Sequence, residues 1–230
     1  MIKIAGFQKN SFIDYPGKIA AVIYLGGCNM RCFYCHNNPI LCPTSNQLEF
    51  TPILDELREQ TGFLDAVVIT GGEPTLHPHL TQIIAQIKAL GFLIKLDTNG
   101  TNPQLLRDLT ENGHVDYVAM DIKAPLDRYN EICGITNTES IKQSIDFLIG
   151  QTRIPYMFRT TLVPQLQEPD ILAIANLIKG ATTYQIQQFI PNEFSNSHRT
   201  IQLPHPPSEI QRLAKLVEPF VSQVLIRGLS

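Results

Sequence analysis

Residues 66–97 read AVVITGGEPTLHPHLTQIIAQIKALGFLIKLD, and the class of fold follows from their pattern. The segment begins with an apolar run of strand length, turns at two glycines, and continues with apolar residues at helical spacing over 80–90. Gly91 then stands where a helix typically ends, before a second apolar run. Two buried strands joined by an amphipathic helix indicate a parallel sheet that is covered by helices.

Similar apolar runs recur along the chain and predict six strands. They lie at residues 18–25, 66–70, 92–97, 115–122, 156–163 and 184–190. A complete eight-unit barrel takes about 250 residues, so six units in 230 residues predict a partial (β/α)6 TIM-like barrel of the α/β class. A doubly wound sheet is the alternative. One domain over residues 1–230 is expected.

Helix starts are signalled by a capping residue that is followed by proline. Thr51-Pro52 and Asn102-Pro103 show this pattern. Further helices are expected near residues 138–149, 169–179 and 207–219.

Composition and charge argue against several classes of protein. With 43% apolar residues the chain can bury a core, yet its apolar runs are shorter than the roughly 18 residues of a membrane-spanning helix. Residues 1–10 lack the apolar segment of a secretion signal, so a soluble protein of the reducing cytoplasm is expected, with no membrane partner. A net charge of −3 without runs of Lys or Arg argues against a nucleic-acid partner.

The segment GGCNMRCFYCHNNP, residues 26–39, places Cys28, Cys32 and Cys35 within eight residues. Clustered thiols in a chain with five cysteines indicate metal or redox chemistry. A c-type haem site would leave Cys28 unused, and a structural zinc site needs a fourth ligand such as Cys42 or His36. An electron-carrying iron–sulfur protein uses four cysteines per cluster, whereas three suit a [4Fe–4S] cluster with one iron open to a substrate.

The Cys-x3-Cys-x2-Cys spacing, with Tyr34 directly before the last cysteine, resembles that of the radical S-adenosylmethionine superfamily. The resemblance implies that Cys28, Cys32 and Cys35 hold a [4Fe–4S] cluster, which binds and reductively cleaves S-adenosyl-L-methionine to give a 5′-deoxyadenosyl radical. It also implies that Tyr34 and His36 flank this cofactor, although ordinary packing and a surface histidine are alternatives. The cluster loop is expected at the carboxyl ends of the strands.

Further candidate contacts to the cofactor follow the next two predicted strands. The resemblance places Gly71, Gly72 and Glu73 against the amino group of S-adenosylmethionine, and a carboxylate is a suitable acceptor for an ammonium. A simple turn is the alternative for the two glycines. Asp97 and Asn99 are expected to face the cofactor or the partner, with a turn again as the alternative for Asn99.

Charged residues on the later strands complete the candidate site. Asp121 and Lys123 are two residues apart and share one face of a strand pattern. The resemblance implies contacts to the ribose and carboxylate of the cofactor, and a neutralised ion pair is the alternative. Arg159 interrupts an apolar strand, and either the cofactor carboxylate or a salt bridge with Asp121 or Glu73 would satisfy it.

Two segments narrow the resemblance to the branch that activates glycyl-radical enzymes: SFIDYPGKIAAVIYLGGC at residues 11–28 and CHNNP at residues 35–39. The likeness extends from Gly6 to about Arg159 and implies hydrogen abstraction from a glycine of a partner enzyme, here an anaerobic ribonucleoside-triphosphate reductase. An electron donor of the flavodoxin or ferredoxin type is also implied, and no side chain need act as acid or base. Cys42 and Cys133 receive no ligand role.

Other targets and reactions stay open within the superfamily. One alternative is the activation of a pyruvate formate-lyase-like enzyme. Another is a radical enzyme with a small-molecule substrate, such as a 7-carboxy-7-deazaguanine synthase-like protein.

Overall fold

The computed structural model describes residues 4–41, 47–191 and 203–229. The described chain packs as two compact units. Of the described residues, the first unit contains 4–29, 37–41, 47–119 and 152–155, and the second contains 30–36, 120–151, 156–191 and 203–229. Cys42 lies outside the described residues, and the extent of one domain over residues 1–230 stays a prediction.

The first unit is built on strands that are joined by helices. Its strands are β1 (Ile4–Tyr15), β2 (Lys18–Leu25), β3 (Ala66–Gly71) and β4 (Leu93–Thr98), and its helices are α1 (Asn38–Leu41), α2 (Phe50–Glu59), α3 (Leu80–Lys88) and α4 (Pro103–Glu111). β1 is antiparallel to β2, whereas β2, β3 and β4 are parallel neighbours. Leu25 pairs with Gly71, so the carboxyl ends of β2 and β3 lie side by side.

The second unit repeats the alternation of strands and helices. Besides residues 30–36, it contains the end of β5 (Tyr117–Asp121), followed by α5 (Tyr129–Cys133), α6 (Glu139–Gly150), β6 (Tyr156–Leu162), α7 (Glu168–Leu177), β7 (Thr183–Gln188), α8 (Pro207–Val217) and β8 (Gln223–Arg227). β6, β7 and β8 are parallel neighbours. Leu162 pairs with Gln188, so the carboxyl ends of β6 and β7 also lie side by side.

Among the described residues the strands form an eight-stranded sheet in the order β1 to β8. A mostly parallel sheet confirms the predicted α/β class and agrees with a partial barrel, but β1 and β8 were not predicted. β1 has many exposed residues and no continuous apolar run, and β8 is five residues long and at most half-buried. Neither strand carries the apolar pattern by which buried strands are recognised.

The apolar face of α3 agrees with its sequence pattern. Leu80, Ile83, Ile84 and Ile87 are all buried. Fully burying such side chains stabilises a fold by roughly 1.5–3 kcal/mol each. The spacing of these residues therefore fixes which side of the helix packs against the protein.

The helix ends were predicted with mixed success. Asn102 caps α4 as predicted, since its side chain accepts a hydrogen bond from the amide of Leu105 at 3.2 Å. Gly91 has a φ of 94°, which an L-residue rarely adopts, just after α3. The predicted start at Thr51 was wrong, because the N-cap position of α2 is Glu49. None of the described helices is long and apolar enough to cross a membrane.

Candidate active site

The cysteine loop, defined as residues 26–37, leaves the carboxyl end of β2 as predicted. Cys28, Cys32 and Cys35 are partly exposed and carry thiols rather than disulfides. The amide of Cys35 donates to the carbonyl of Cys32 at 3.1 Å and closes a tight turn. Among the described residues, no three His, Cys, Asp or Glu side chains are arranged so that they could already hold a metal ion. The role of these cysteines as cluster ligands therefore stays a prediction.

Both ends of the cysteine loop are held by hydrogen bonds within the first unit. The buried ring of His77 places Nε2 3.0 Å from the carbonyl oxygen of Gly26. The side chain of Asn37 donates to the carbonyl of Gly71 at 2.7 Å. These bonds fix the start and the end of the loop near the carboxyl end of β3.

Gly71 and Gly72 permit a close approach of two backbone segments. A Cβ on Gly72 would lie 1.9 Å from the carbonyl oxygen of Gly27, and a Cβ on Gly71 would lie 2.4 Å from backbone atoms of Leu25. Gly71 also has a φ of 120°. Glycine is therefore required at both positions so that the cysteine loop can pack on β3. This steric requirement holds whether or not the two residues also contact the cofactor.

Glu73 is fully buried where β3 gives way to the following turn. Its Oε1 accepts from the hydroxyls of Thr75 at 2.6 Å and Thr98 at 2.7 Å, and its Oε2 accepts from the amide of Asn99 at 2.6 Å. Burial raises the pKa of Glu73, while these hydrogen bonds offset part of the rise. The carboxylate thus joins the ends of β3 and β4, and its contact with an ammonium stays a prediction.

Asn99 links the end of β4 to the cysteine loop. Its Nδ2 lies 3.8 Å from Sγ of Cys28 and donates to Oδ1 of Asn29 at 2.9 Å. Its Oδ1 accepts from the amide of Thr101 at 3.0 Å and from the hydroxyl of Thr101 at 2.7 Å. The buried side chain therefore contacts one of the predicted cluster ligands directly.

Asp97 has a partner on its own strand that was not predicted. It forms an ion pair with the ammonium of Lys95, which is 2% exposed. The hydroxyl of Thr70 donates to Asp97 at 3.4 Å. Because a buried ammonium needs a nearby negative charge, one role of Asp97 is to neutralise Lys95. The spacing of two residues along a strand was the sequence signal for this pair.

Asp121, Lys123 and Arg159 form an ion cluster in the second unit. Asp121 accepts from Nζ of Lys123 at 3.0 Å and from Nε of Arg159 at 2.8 Å. Burial alone would raise the pKa of Asp121, but the charges of Arg159 and Lys123 hold it well below its usual range. These ion pairs match the alternatives to cofactor contacts that the sequence leaves open for Asp121, Lys123 and Arg159. The contacts of the three residues with the cofactor stay predictions.

Cys133 lies beside Cys32, although it was given no role from the sequence. A hydrogen bond from the Cys133 thiol lowers the pKa of Cys32 to about 7; burial opposes this, and the charge of Lys123 adds to it. The carbonyl of Cys133 also accepts from the amide of Arg31 at 2.8 Å. Because the thiolate is the form that binds iron, this environment favours metal ligation by Cys32.

Tyr34 and His36 differ in their surroundings. Tyr34 is 4% exposed, and its buried hydroxyl has no hydrogen-bond partner among the described residues. Burial raises the pKa of this phenol well above its ordinary value. An unsatisfied buried hydroxyl is rare in proteins and is compatible with a ligand contact. His36 is exposed, and the contacts of both residues with the cofactor stay predictions.

Residues 22–178 match the family model described as the radical SAM superfamily, and this span includes all the candidate site residues. The chain belongs to the radical SAM superfamily. Enzymes of this superfamily use a [4Fe–4S] cluster and S-adenosylmethionine, so the predicted cofactors are confirmed at the level of the family.

Several curated proteins are similar to this radical SAM protein. A Methanocaldococcus jannaschii protein, provisionally named a glycyl-radical enzyme activating enzyme, is 36% identical over 99% of this chain and 96% of its own length. The pyruvate formate-lyase-activating enzyme of Staphylococcus epidermidis is 25% identical over 81% of this chain and 79% of its own length. A 7-carboxy-7-deazaguanine synthase of Neisseria meningitidis is 35% identical, but over 47% of this chain and 45% of its own length.

Among solved structures, Streptococcus suis SuiB bound to its precursor peptide SuiA is similar, with a TM-score of 0.70 and 13% sequence identity. The match covers 90% of this chain and 48% of SuiB, so the radical SAM protein spans about half the length of that structure. At this level of identity the likeness shows the fold, and it supports the predicted partial barrel.

The chemistry of the donor groups fits the cofactors of the superfamily. Thiolates are the preferred ligands of iron–sulfur clusters, and Cys28, Cys32 and Cys35 would hold the cluster. Asn99 already places a side-chain amide next to the sulfur of Cys28. The buried Tyr34 hydroxyl is a further polar group that a ligand could satisfy.

Proposed function

We propose that this radical SAM protein is an activating enzyme that generates a glycyl radical on a partner enzyme, and that the partner is an anaerobic ribonucleoside-triphosphate reductase. The observation that carries the activating role is the 36% identity to the M. jannaschii relative, which extends over 99% of the chain. The segment at residues 11–28 favours the same branch and underlies the choice of partner.

In this proposal the charged residues of the candidate site bind and orient the cofactor. When bound, the cluster supplies an electron and S-adenosylmethionine supplies the radical that abstracts hydrogen from glycine. Asp121, Lys123 and Arg159 together carry one net positive charge at neutral pH, which suits the binding of a carboxylate. Glu73 places a negative charge where the ammonium is expected. The chain thus binds and orients the cofactor and need not transfer a proton.

The proposal includes an electron donor and a cellular compartment. A flavodoxin or ferredoxin would deliver the electron, since Cys28, Cys32 and Cys35 are all partly exposed. A cluster with one open iron suits a reducing environment, so the enzyme would act in the cytoplasm.

An anaerobic activation assay tests the proposed partner. The chain is reconstituted with iron and sulfide and mixed with S-adenosylmethionine, reduced flavodoxin and either the reductase or pyruvate formate-lyase. Electron paramagnetic resonance should then show a glycine-centred radical on the reductase and none with the Cys32→Ala variant. A signal on pyruvate formate-lyase alone would favour that alternative partner, which the S. epidermidis relative supports.

A small-molecule radical enzyme is the second candidate, because the N. meningitidis synthase is 35% identical over part of the chain. Its similarity covers 47% of this chain, against 99% for the M. jannaschii relative. The purified, reconstituted chain is incubated with the substrate of that synthase and without a protein partner. Product formation under these conditions would contradict the activating role.

A further inference from the structure

The amide group of Asn99 forms the contact between the end of β4 and a predicted cluster ligand. Its Nδ2 lies 3.8 Å from Sγ of Cys28 while also donating to Oδ1 of Asn29 at 2.9 Å. A primary amide has two N–H groups, so one can serve each acceptor. Asn99 therefore donates to Cys28 without giving up its bond to Asn29.

The orientation of this amide is fixed by its other hydrogen bonds. Its Oδ1 is held by the amide and the hydroxyl of Thr101 at 3.0 and 2.7 Å, so that the NH2 group must point to the opposite side, where Cys28 lies. The backbone amide of Asn99 is held by the buried Glu73 carboxylate at 2.6 Å. Asn99 is itself 5% exposed. A side chain held at so many points is preorganised before any cluster binds.

An N–H group that points at a thiolate ligand of an iron–sulfur cluster changes the reduction potential of the cluster. The reduced cluster carries one more negative charge than the oxidised cluster, and part of this charge resides on the sulfur atoms. A hydrogen-bond donor therefore stabilises the reduced form more than the oxidised form. Hydrogen bonds to sulfur are among the features that set the reduction potentials of such clusters.

We propose that Asn99 is a positioning residue for the iron–sulfur cluster, which orients the Cys28 side chain and raises the reduction potential of the bound cluster through an N–H···S hydrogen bond. This role lies outside the expected contact of Asn99 with S-adenosylmethionine or a partner. It rests on the cluster of the superfamily and is independent of the choice of partner enzyme. An electron donor such as flavodoxin would therefore reduce the cluster more readily than it would without this hydrogen bond.

Two variants at Asn99 separate the hydrogen bond from the structural role. Asn99→Asp keeps the size and the acceptor for Thr101, but removes the donor and adds a negative charge. Asn99→Ala removes the whole amide. The reduction potential of the reconstituted cluster is measured by anaerobic titration without S-adenosylmethionine. We expect the equilibrium constant for one-electron reduction to fall about ten-fold in Asn99→Ala, a shift of about 59 mV, and further in Asn99→Asp.

Asn102→Ala is the matched control for a structural effect. Asn102 lies three residues away, caps α4 and donates to the carbonyl of Thr75 at 3.0 Å, so this variant also weakens the turn after β4. We expect its cluster to keep the potential of the wild type. Asn99 variants that hold a full cluster at an unchanged potential would overturn the proposal, and so would an equal shift in Asn102→Ala.

A spectroscopic measurement keeps the test decisive if the Asn99 variants bind iron poorly. The wild-type chain is labelled with ¹⁵N in the side-chain amides of asparagine, and the reduced cluster is examined by pulsed electron paramagnetic resonance. A ¹⁵N coupling through the hydrogen bond is expected in the wild type and in Asn102→Ala. If the wild-type cluster shows no such coupling, the proposal is wrong.

Discussion

Glu73 lies just beyond the carboxyl end of β3 and Asp121 lies at the carboxyl end of β5, but the environments of these two acidic residues differ in kind. In the Glu73 region, defined as Glu73 with its hydrogen-bond donors, hydroxyl and amide groups surround a fully buried carboxylate. In the Asp121 region, defined as Asp121, Lys123 and Arg159, two cations surround a carboxylate with 24% of its side chain exposed. Neutral dipoles leave the pKa of Glu73 raised, whereas cations lower the pKa of Asp121.

The two regions therefore stabilise charge in different ways. Hydrogen bonds from neutral groups orient the Glu73 carboxylate and leave its burial cost partly uncompensated. The Asp121 region has more positive than negative charge and can accept a further anion.

The largest expected effect concerns the iron content of variants at the predicted cluster ligands. Cys28→Ala and Cys32→Ala should each lose most of the roughly four irons per chain, because two thiolates cannot replace three as ligands of a [4Fe–4S] cluster. Iron and sulfide are quantified after anaerobic reconstitution. Cys133→Ala is the control and should retain its iron, since it removes a neighbour of Cys32 rather than a ligand. Retention by Cys32→Ala together with loss in Cys133→Ala would reverse the ligand assignment.

A smaller effect, on the free energy of unfolding, is expected when a cation is removed from the Asp121 region. Arg159→Met should lower the free energy of unfolding by about 2 kcal/mol, because Asp121 loses one of two partners while Lys123 remains. Urea unfolding measures the change. Arg107→Met is the control, as Arg107 forms an exposed pair with Glu111 at 3.5 Å and should cost less than about 0.5 kcal/mol. Equal costs for the two variants would contradict an energetic role for the ion cluster.

The Glu73 region should respond more weakly to a neutral replacement. Glu73→Gln should lower the free energy of unfolding by about 1–2 kcal/mol, since the new NH2 group would face at least one of the donors that the carboxylate now satisfies. Glu59→Gln alters an exposed glutamate and should change stability by less than about 0.5 kcal/mol. If Glu73→Gln were stabilising, the hydrogen bonds of this region would not hold the strand ends together.

The smallest expected effect is on the pH dependence of the free energy of unfolding. The sign of this dependence is opposite for the Glu73 region and the Asp121 region. The pKa of Glu73 is raised from 4.5, so its contribution to stability is present at low pH and is lost as pH rises through the raised pKa. The pKa of Asp121 is lowered from 3.8, so its contribution is present above that value and is lost as pH falls.

Urea unfolding at a series of pH values checks these signs. The stability advantage of the wild type over Glu73→Gln should decrease as pH rises, whereas its advantage over Asp121→Asn should decrease as pH falls. The same trend in both comparisons would refute the assigned environments.

Local patterns in the amino-acid sequence were sufficient to predict the class of fold and to select the candidate site. The strand and helix of residues 66–90 follow from the spacing of apolar residues, because burial on one face is decided by neighbours along the chain. The three cysteines of the cysteine loop lie close together in sequence, so their chemistry could be inferred without coordinates. The cap at Asn102 is equally local, as its partner is three residues away.

The contacts between polar groups, including the choice between Asp121 and Glu73 as the partner of Arg159, depend on the tertiary structure. Cys133 lies beside Cys32, Arg159 pairs with Asp121, and Asn99 contacts Cys28, although each pair is far apart in sequence. Such contacts depend on strand register and on the path of the loops, which place side chains within hydrogen-bonding distance but leave no periodic signal in the sequence. β1 and β8 were not predicted for a related reason. A partly exposed strand is stabilised more by pairing with its neighbouring strand than by burial of its own apolar residues.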